Sequence, residues 1–273
     1  VCLTVTDAFA ETDTNCVSTT IANIAPIIAL SGAGSTNEGS DYTLTLGAVT
    51  DPGADTVTSY IVHWGDSLTD TYAAAGAVTH PYADGPSSPT ITVDLVDEDD
   101  THANAGTKSI TVNNVAPSVG ADNASVTVNE GATASNPGTF LDPGDDTVAI
   151  SASIGSVTQD NVLGTWSWSF GATDGPIESQ TVTVTATDSD GASTTTNFAL
   201  VVNNVAPIVT SGADSSSNEG DVFSFSSTTF TDAGILDTHT ASIDWGDGTS
   251  STAGAVIQGA GSGSVSGSHI YAD

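Results

Sequence analysis

Apolar and polar positions alternate along much of this chain. Tyr42, Leu44 and Leu46 are separated by Thr43 and Thr45, and Ile91, Val93 and Leu95 by Thr92 and Asp94. A period of two sends successive side chains to opposite faces, the mark of a half-buried strand. Ile110 and Val112 continue the pattern, and Val57 to Trp64 is apolar or β-prone nearly throughout, which predicts further strands. Trp166, Trp168 and Phe170 share one face of another, a pattern that reads as core before binding platform. Turn formers such as Asp51-Pro52-Gly53 punctuate these runs, and no segment carries an amphipathic helical period. The fold class expected is all-β, built from antiparallel β-sandwiches. Val1, Leu3 and Val5 open the chain with the same alternation. They predict a strand over 1–6, followed by a second over 16–21. A hairpin alone is marginal in water, so these strands need a sandwich supplied from elsewhere.

The alternation is itself repeated. Asn113-Asn114-Val115-Ala116-Pro117 recurs as Asn203-Asn204-Val205-Ala206-Pro207, with a weaker copy at Ala22-Asn23-Ile24-Ala25-Pro26. Asn-Glu-Gly returns at Asn37, Asn129 and Asn218, and an Asp closes a Thr/Val run at Asp7, Asp97 and Asp188. Self-similarity at a step of about 90 residues means one small domain used several times. Proline fixes φ and holds its predecessor extended, so Asn-Val-Ala-Pro reads as a short, stiff linker. The domains expected are 1–22, the closing hairpin of an incomplete sandwich; 23–113, a complete one; 114–203, a second; and 204–273, an incomplete one. The third repeat stops after His269-Ile270-Tyr271-Ala272-Asp273, whereas the first continues after His80-Pro81-Tyr82-Ala83-Asp84 into two more strands. The opening fragment and the last repeat together amount to one repeat length.

Charge narrows the partners. The formal net charge is −32, and Lys108 is the only Lys or Arg. Nucleic acid and anionic membranes both need basic surface and are excluded. No apolar run is long enough to span a bilayer. Divalent cations or cationic surfaces fit the charge, as does simple solubility through self-repulsion. There is no basic-plus-apolar leader, which decides nothing, since a secreted precursor loses it. Aligning Asp7 with Asp97 and Pro26 with Pro117 puts Cys2 and Cys16 both on the outward face of the hairpin, near one end. A cross-strand disulfide follows, and with it an oxidising, extracytoplasmic location; two free thiols are the alternative.

These residues resemble a known family. The Asn-x-Ala-Pro start, Trp64-Gly65-Asp66, Trp245-Gly246-Asp247-Gly248, the pairs His80/Tyr82 and His269/Tyr271, and the closing Asp97 look like the PKD (polycystic kidney disease) repeat. The middle copy has Ser153-Ile154-Gly155-Ser156 at the Trp-Gly-Asp position and is more similar to the bacterial Ig-like repeats found beside PKD domains. The resemblance implies tandem Ig-like sandwiches in large prokaryotic surface or secreted proteins, acting as spacers, adhesin stalks or enzyme appendages. Some members of the family hold Ca²⁺ near their linkers.

Independently of family, Trp-Gly-Asp-Gly joins a core aromatic to a tight turn. His80 and His269 read as local hydrogen-bonding residues beside a tyrosine. No His-Glu-x-x-His pair or Gly-x-Ser-x-Gly elbow occurs. Gly259–Gly267 reads as a flexible hairpin tip. Asp94, Asp97, Glu98, Asp99 and Asp100 crowd one turn, and Asp97 and Asp99 with Asp51 or Asp55 form a candidate Ca²⁺ site, the one cofactor suggested. A solvated turn explains the same residues, and no full EF-hand loop is present. Asn123-Ala124-Ser125 is a glycosylation acceptor pattern.

The function expected is that of a non-catalytic, extracellular or cell-surface structural protein, a stalk or filament of tandem sandwiches. An adhesin or carbohydrate-binding appendage is the alternative. Its partners would be identical copies, head to tail, with residues 1–22 of one completing the sandwich begun by 205–273 of another. Val1, Leu3, Val5, Ile21 and Tyr271 are the interface residues expected. Strand donation between subunits and a longer tandem polypeptide both give this geometry. A direct peptide bond would leave no residues where the first repeat has six between Asp84 and Ile91.

Overall fold

The structure, a computed structural model, describes all residues except Ala54 and Asp273, and all of their side chains except that of Ser227. Asp273, the last residue of the final repeat, therefore lies outside the described residues. No helix occurs among the described residues; the chain is all-β and forms two compact units, Val1–Asn114 and Val115–Asp273.

The first unit contains β1 (Cys2–Thr6), β2 (Thr12–Cys16), β3 (Ile27–Gly32), β4 (Ser35–Asn37), β5 (Asp41–Thr50), β6 (Ser59–His63), β7 (Thr69–Tyr72), β8 (Gly76–Pro81), β9 (Thr90–Val96), β10 (Thr101–Ser109) and β11 (Thr111–Asn113). The order β3-β5-β8 makes one sheet and β10-β9-β6-β7 the other. Tyr42, Leu44 and Leu46 point from β5 into the space between them, where they meet Val62, Trp64, Ile91, Val93 and Leu95. The alternation read from the sequence is the burial pattern observed: Ile91, Val93 and Leu95 are fully buried, with Thr92 and Asp94 between them half-buried. Two predicted strands differ in extent. The Val57–Trp64 strand is confined to β6, and in the Ile110–Val112 segment Ile110 lies between β10 and the short β11, because β11 leaves β10 to pair in parallel with β4.

The opening hairpin requires a correction. Its second strand is β2, Thr12–Cys16, not 16–21. Asp7 makes the difference: its Oδ1 accepts the backbone N–H of Phe9 at 2.8 Å and of Glu11 at 3.0 Å, closing a tight turn that sets Thr12 opposite Thr6. Side-chain capping of this kind is a local turn device. Ile21 consequently falls outside the paired strands.

The second unit contains β12 (Ser118–Ala121), β13 (Ser125–Asn129), β14 (Thr133–Leu141), β15 (Ala149–Ala152), β16 (Ser156–Asp160), β17 (Thr165–Gly171), β18 (Gln180–Thr187), β19 (Ser193–Asn203), β20 (Ile208–Thr210), β21 (Val222–Thr231), β22 (Ala241–Ile243), β23 (Thr252–Gly259) and β24 (Ser262–Ile270). Sheets β12-β14-β17-β16 and β13-β19-β18-β15 enclose a second core of Trp166, Trp168, Val182, Val184, Phe198 and Leu200. Trp166 and Trp168 are core, as their shared face predicts, and Phe170 packs against them half-buried. Among the described residues β4–β11 and β13–β19 pair in parallel and all other strand pairs are antiparallel.

The remaining strands form a single sheet, β20-β21-β24-β23-β22. Residues 259–267 form a hairpin, as expected, but most of the stretch is strand and the tip itself is short. They belong to β23, a tight turn with Gly261 at φ +67°, and β24. Gly267 lies beneath the side chains of Ile243 and Trp245, where a larger residue would not fit.

Candidate functional site

Trp64 is fully buried at the end of β6, and the chain turns sharply after it, with Gly65 at φ +87°. His80 stacks on its indole, ring centroids 4.6 Å apart, and is held there by Asp66 at 2.7 Å. Tyr82 stands edge-on to His80 and donates its hydroxyl to the Trp64 carbonyl at 2.8 Å. The final repeat rebuilds the same group: His269 stacks on Trp245 at 4.9 Å and bonds to Asp247 at 2.8 Å, and the Tyr271 hydroxyl donates to the Trp245 carbonyl at 3.2 Å. Burial pushes the Asp66 carboxyl up, but bonds from His80 and Leu68 outweigh it and leave the group below its ordinary value. Bonds from the Thr249 hydroxyl and His269 hold Asp247 down at about 2. With each polar group satisfied inside the fold, the constellation is an anchor, matching the hydrogen-bonding role expected of both histidines.

All five histidines in the chain sit on carboxylates: His63 on Asp94, His80 on Asp66, His102 on Asp97, His239 on Asp232 and His269 on Asp247. In a chain with one lysine and no arginine, imidazole is the main side-chain donor left for pairing carboxylates.

Of the expected calcium residues, Asp51, Asp55 and Asp97 come together, with one oxygen from each within 4.8 Å of the others. Asp97 Oδ1 accepts the N–H groups of Asp99 and Asp100, and its Oδ2 faces His102 at 2.7 Å. Those backbone bonds pull its carboxyl below the usual range. Asp51 Oδ1 accepts the Gly53 N–H, while Asp51 Oδ2 is buried with no hydrogen-bond partner. Burial, then the charges of Asp99 and Asp51, push Asp55 up. Asp99 contributes its charge and its N–H but is not one of the three converging carboxylates. The next repeat places Asp142 and Asp146 at the matching turn, each again with a buried, unpartnered Oδ2.

Two glutamates carry a role the sequence signalled only by recurrence. Glu38 and Glu130, from the Asn-Glu-Gly landmarks, are 0% and 3% exposed. Each accepts the N–H of the glycine before a cis proline, Gly85 or Gly175, at 2.7 Å. Asn123 is exposed, but its amide nitrogen donates to Asn136 Oδ1 at 3.0 Å.

The expected interface residues divide between two features. Val1, Leu3, Val5 and Ile21 are 80%, 70%, 61% and 90% exposed, and every residue of β1 and β2 is exposed. Cys2 and Cys16 lie directly opposite one another and are joined as a disulfide. Tyr271 lines a groove of about 550 Å³ along the open face of the five-stranded sheet, with Phe223, Phe225, Ile243, Trp245 and Val265. Among the described residues of that repeat only Phe230 and Trp245 are buried apolar residues.

No family model matches the sequence, and no curated protein matches it. Among solved structures it is similar to the titin domains Z1Z2 in complex with telethonin (14% identity, 67% of this chain and 98% of that one, TM-score 0.34). It is also similar to fibronectin(III)-like modules of Clostridium thermocellum CbhA (18% identity, 65% and 94%, TM-score 0.28) and to the four N-terminal Ig domains of Dscam1 (12% identity, 71% and 52%, TM-score 0.35).

Proposed function

We propose that this is a non-catalytic, extracellular structural protein of PKD-like and Ig-like sandwiches that assembles head to tail, the hairpin β1–β2 of one copy completing the open sandwich of another. The observation that carries this reading is a match of register within the chain. In the first repeat β9 fills the space that is a groove in the last one. It pairs with β6 so that Val62 faces Val93 and Tyr60 faces Leu95. Its neighbour β10 sets Thr107 opposite Thr92 and Gly106 opposite Val93. The hairpin repeats that arrangement, with Cys16 opposite Cys2 and Asn15 opposite Leu3. The strand equivalent to β6 is β22, which leads into the same Trp-Gly-Asp turn and among the described residues pairs only with β23, leaving its other edge open. An open edge beside an apolar face is a template for an added strand.

Laid on β22 in the register of β9, the hairpin sets Val5 opposite Ala241, Thr4 opposite Ser242 and Leu3 opposite Ile243. Leu3 and Val5 enter the groove, and the disulfide stays on the outward face. The contact joins two different surfaces, so it propagates instead of closing. The disulfide supports an extracytoplasmic setting. A calcium-class cation at Asp51, Asp55 and Asp97 belongs to the same reading, supported by the unpartnered Asp51 Oδ2. A glycan at Asn123 would have to be built on the nitrogen that now bonds Asn136.

The test is a cysteine pair. Thr4→Cys with Ser242→Cys should, under mild oxidation, give a covalent ladder on denaturing gels, and neither single variant should. Without crosslinking, denatured assemblies of about 27 kDa units mean strand donation and a far larger chain means a tandem polypeptide. Absence of the ladder in material that still polymerises would show that another surface makes the contact.

A further inference from the structure

Each complete sandwich contains a contact between two turns that the opening hairpin and the last repeat carry separately. One turn follows β9 or its equivalent and starts on an aspartate. Asp97 Oδ1 accepts the Asp99 and Asp100 N–H groups, and Asp188 Oδ1 accepts the Ala192 N–H at 2.8 Å. Asp7 caps the hairpin turn in the same way. Its own N–H donates to the Glu11 carbonyl at 2.9 Å, as that of Asp188 does to the Ala192 carbonyl at 3.0 Å, so the two turns have one length. Ala8 and Phe9 therefore stand where the second repeat has Ser189 and Asp190 and the first has Glu98 and Asp99. The other turn leads into β6 or its equivalent. It too opens on a capping aspartate: Asp51, Asp142 and Asp232 accept the N–H groups of Gly53, Gly144 and Gly234 at 3.0, 2.9 and 3.1 Å.

In both complete sandwiches these turns meet through polar groups. Glu98 accepts the Thr56 N–H at 2.8 Å, and Ser189 bonds to Asp146 and accepts the Thr147 N–H at 3.3 Å. Burial, then the charge of Asp99, push the Asp55 carboxyl up, so the residue two beyond the capping Asp97 also stands near the loop. The last repeat changes the character of that loop. Gly144 is followed by Asp145-Asp146-Thr147, but Gly234 by Ile235-Leu236-Asp237-Thr238. The Ile235 N–H holds the loop to the Thr173 carbonyl at 3.1 Å, and its side chains stay in water, Ile235 44% and Leu236 67% exposed. The hairpin has changed in the same sense: Phe9 is 89% exposed, its backbone fixed by Asp7.

We propose that Phe9 of one copy packs against Ile235 and Leu236 of another, a second contact that fastens the donated hairpin at its tip. The contact rests on the head-to-tail assembly proposed for β1–β2 and adds to it a surface outside the groove. In that register Thr6 stands opposite Thr240 as Val96 stands opposite Ser59, so the turn after Thr6 reaches the loop before Thr240. Burial of apolar area does not depend on charge, whereas carboxylates meeting across the junction would add to the repulsion between copies of net charge −32. The ring also selects its partner: against Asp55 or Asp146 it would strip water from a carboxylate.

The test uses the whole chain. Phe9→Ser and Leu236→Ser should each raise the concentration needed for assembly, read by sedimentation velocity, at least tenfold. Neither should move the melting curve of the unassembled chain, where both side chains are exposed. The double variant should assemble no worse than the weaker single one, because either change already removes the contact. The Thr4→Cys, Ser242→Cys ladder separates this contact from the assembly it rests on. A ladder in the parent, with assembly unchanged in both single variants, would overturn the Phe9 contact and leave strand donation standing. No ladder in the parent would overturn both. Losses that add in the double variant would mean that Phe9 and Leu236 act through different neighbours, and would overturn the pairing.

Discussion

His80 and His269 show how single residues are used in this chain. Each is stacked on a tryptophan, edge-on to a tyrosine and bonded to the aspartate of the Trp-Gly-Asp turn. The short motif specifies this geometry because its parts are local: the turn returns Asp66 and Asp247 to the histidine, and the tyrosine two residues on caps the tryptophan carbonyl. Tyr82 is 2% exposed and burial raises its phenol well above its ordinary value, so it remains a donor. Tyr82→Phe should destabilise the 23–113 sandwich by about 1 kcal/mol, read from its urea midpoint. Asp247 predicts a pH dependence. Its folded value of about 2 lies below the ordinary 3.8, so its ionised form stabilises the fold above pH about 4. That contribution disappears as pH falls from 3.8 towards 2, and Asp247→Asn should flatten this part of the acid-unfolding curve followed by Trp245 fluorescence. The buried glutamates were less legible. Asn-Glu-Gly marked a repeated position, but the N–H groups that Glu38 and Glu130 accept come from Gly85 and Gly175, 47 and 45 residues away.

Elements were readable where alternation sets the face and obscure where a side chain sets the turn. The parity of Cys2 and Cys16 followed from aligning two repeats, and the sulfurs are bonded. The limits of β2 did not follow, because they depend on Asp7 capping a turn inside an otherwise featureless segment. In Gly259–Gly267 the hairpin was legible from composition but its strand content was not. Gly263 and Gly267 lie in β24 against Phe230, Ile243 and Trp245, where missing side chains make room for larger ones. The hairpin has no apolar cover of its own, since all ten residues of its strands are exposed. Its order should therefore depend on the crosslink, which contributes about 3 kcal/mol in the chain-entropy model. Reduction of the unassembled chain should release protection of the β1–β2 amides in hydrogen exchange and leave the two sandwich cores unchanged. Equal protection before and after reduction would mean the hairpin is held by something else.

At the scale of the molecule, the two complete sandwiches bury their apolar faces, while the hairpin and the last sheet each leave one open. Leu3 separates these two conditions in a single substitution. It is 70% exposed in the chain itself, so Leu3→Asp should leave the unassembled protein's stability within about 0.5 kcal/mol of its parent. In the register proposed, the same side chain lies opposite Ile243 in a groove lined by Phe223, Trp245 and Val265. Burying Val1, Leu3 and Val5 there contributes about 1.5–3 kcal/mol for each side chain. An aspartate in that position loses one of those contributions and carries an unpaired charge into an apolar space. The chain's net charge of −32 makes the change worse, because its one lysine, Lys108, sits in β10 and not in the groove. Sedimentation velocity should show the parent as concentration-dependent oligomers and Leu3→Asp as a single species with an unchanged melting curve. Thr4→Asp, one residue along and on the outward face, should assemble like the parent. If Leu3→Asp assembles equally well, the groove is filled by something other than this strand.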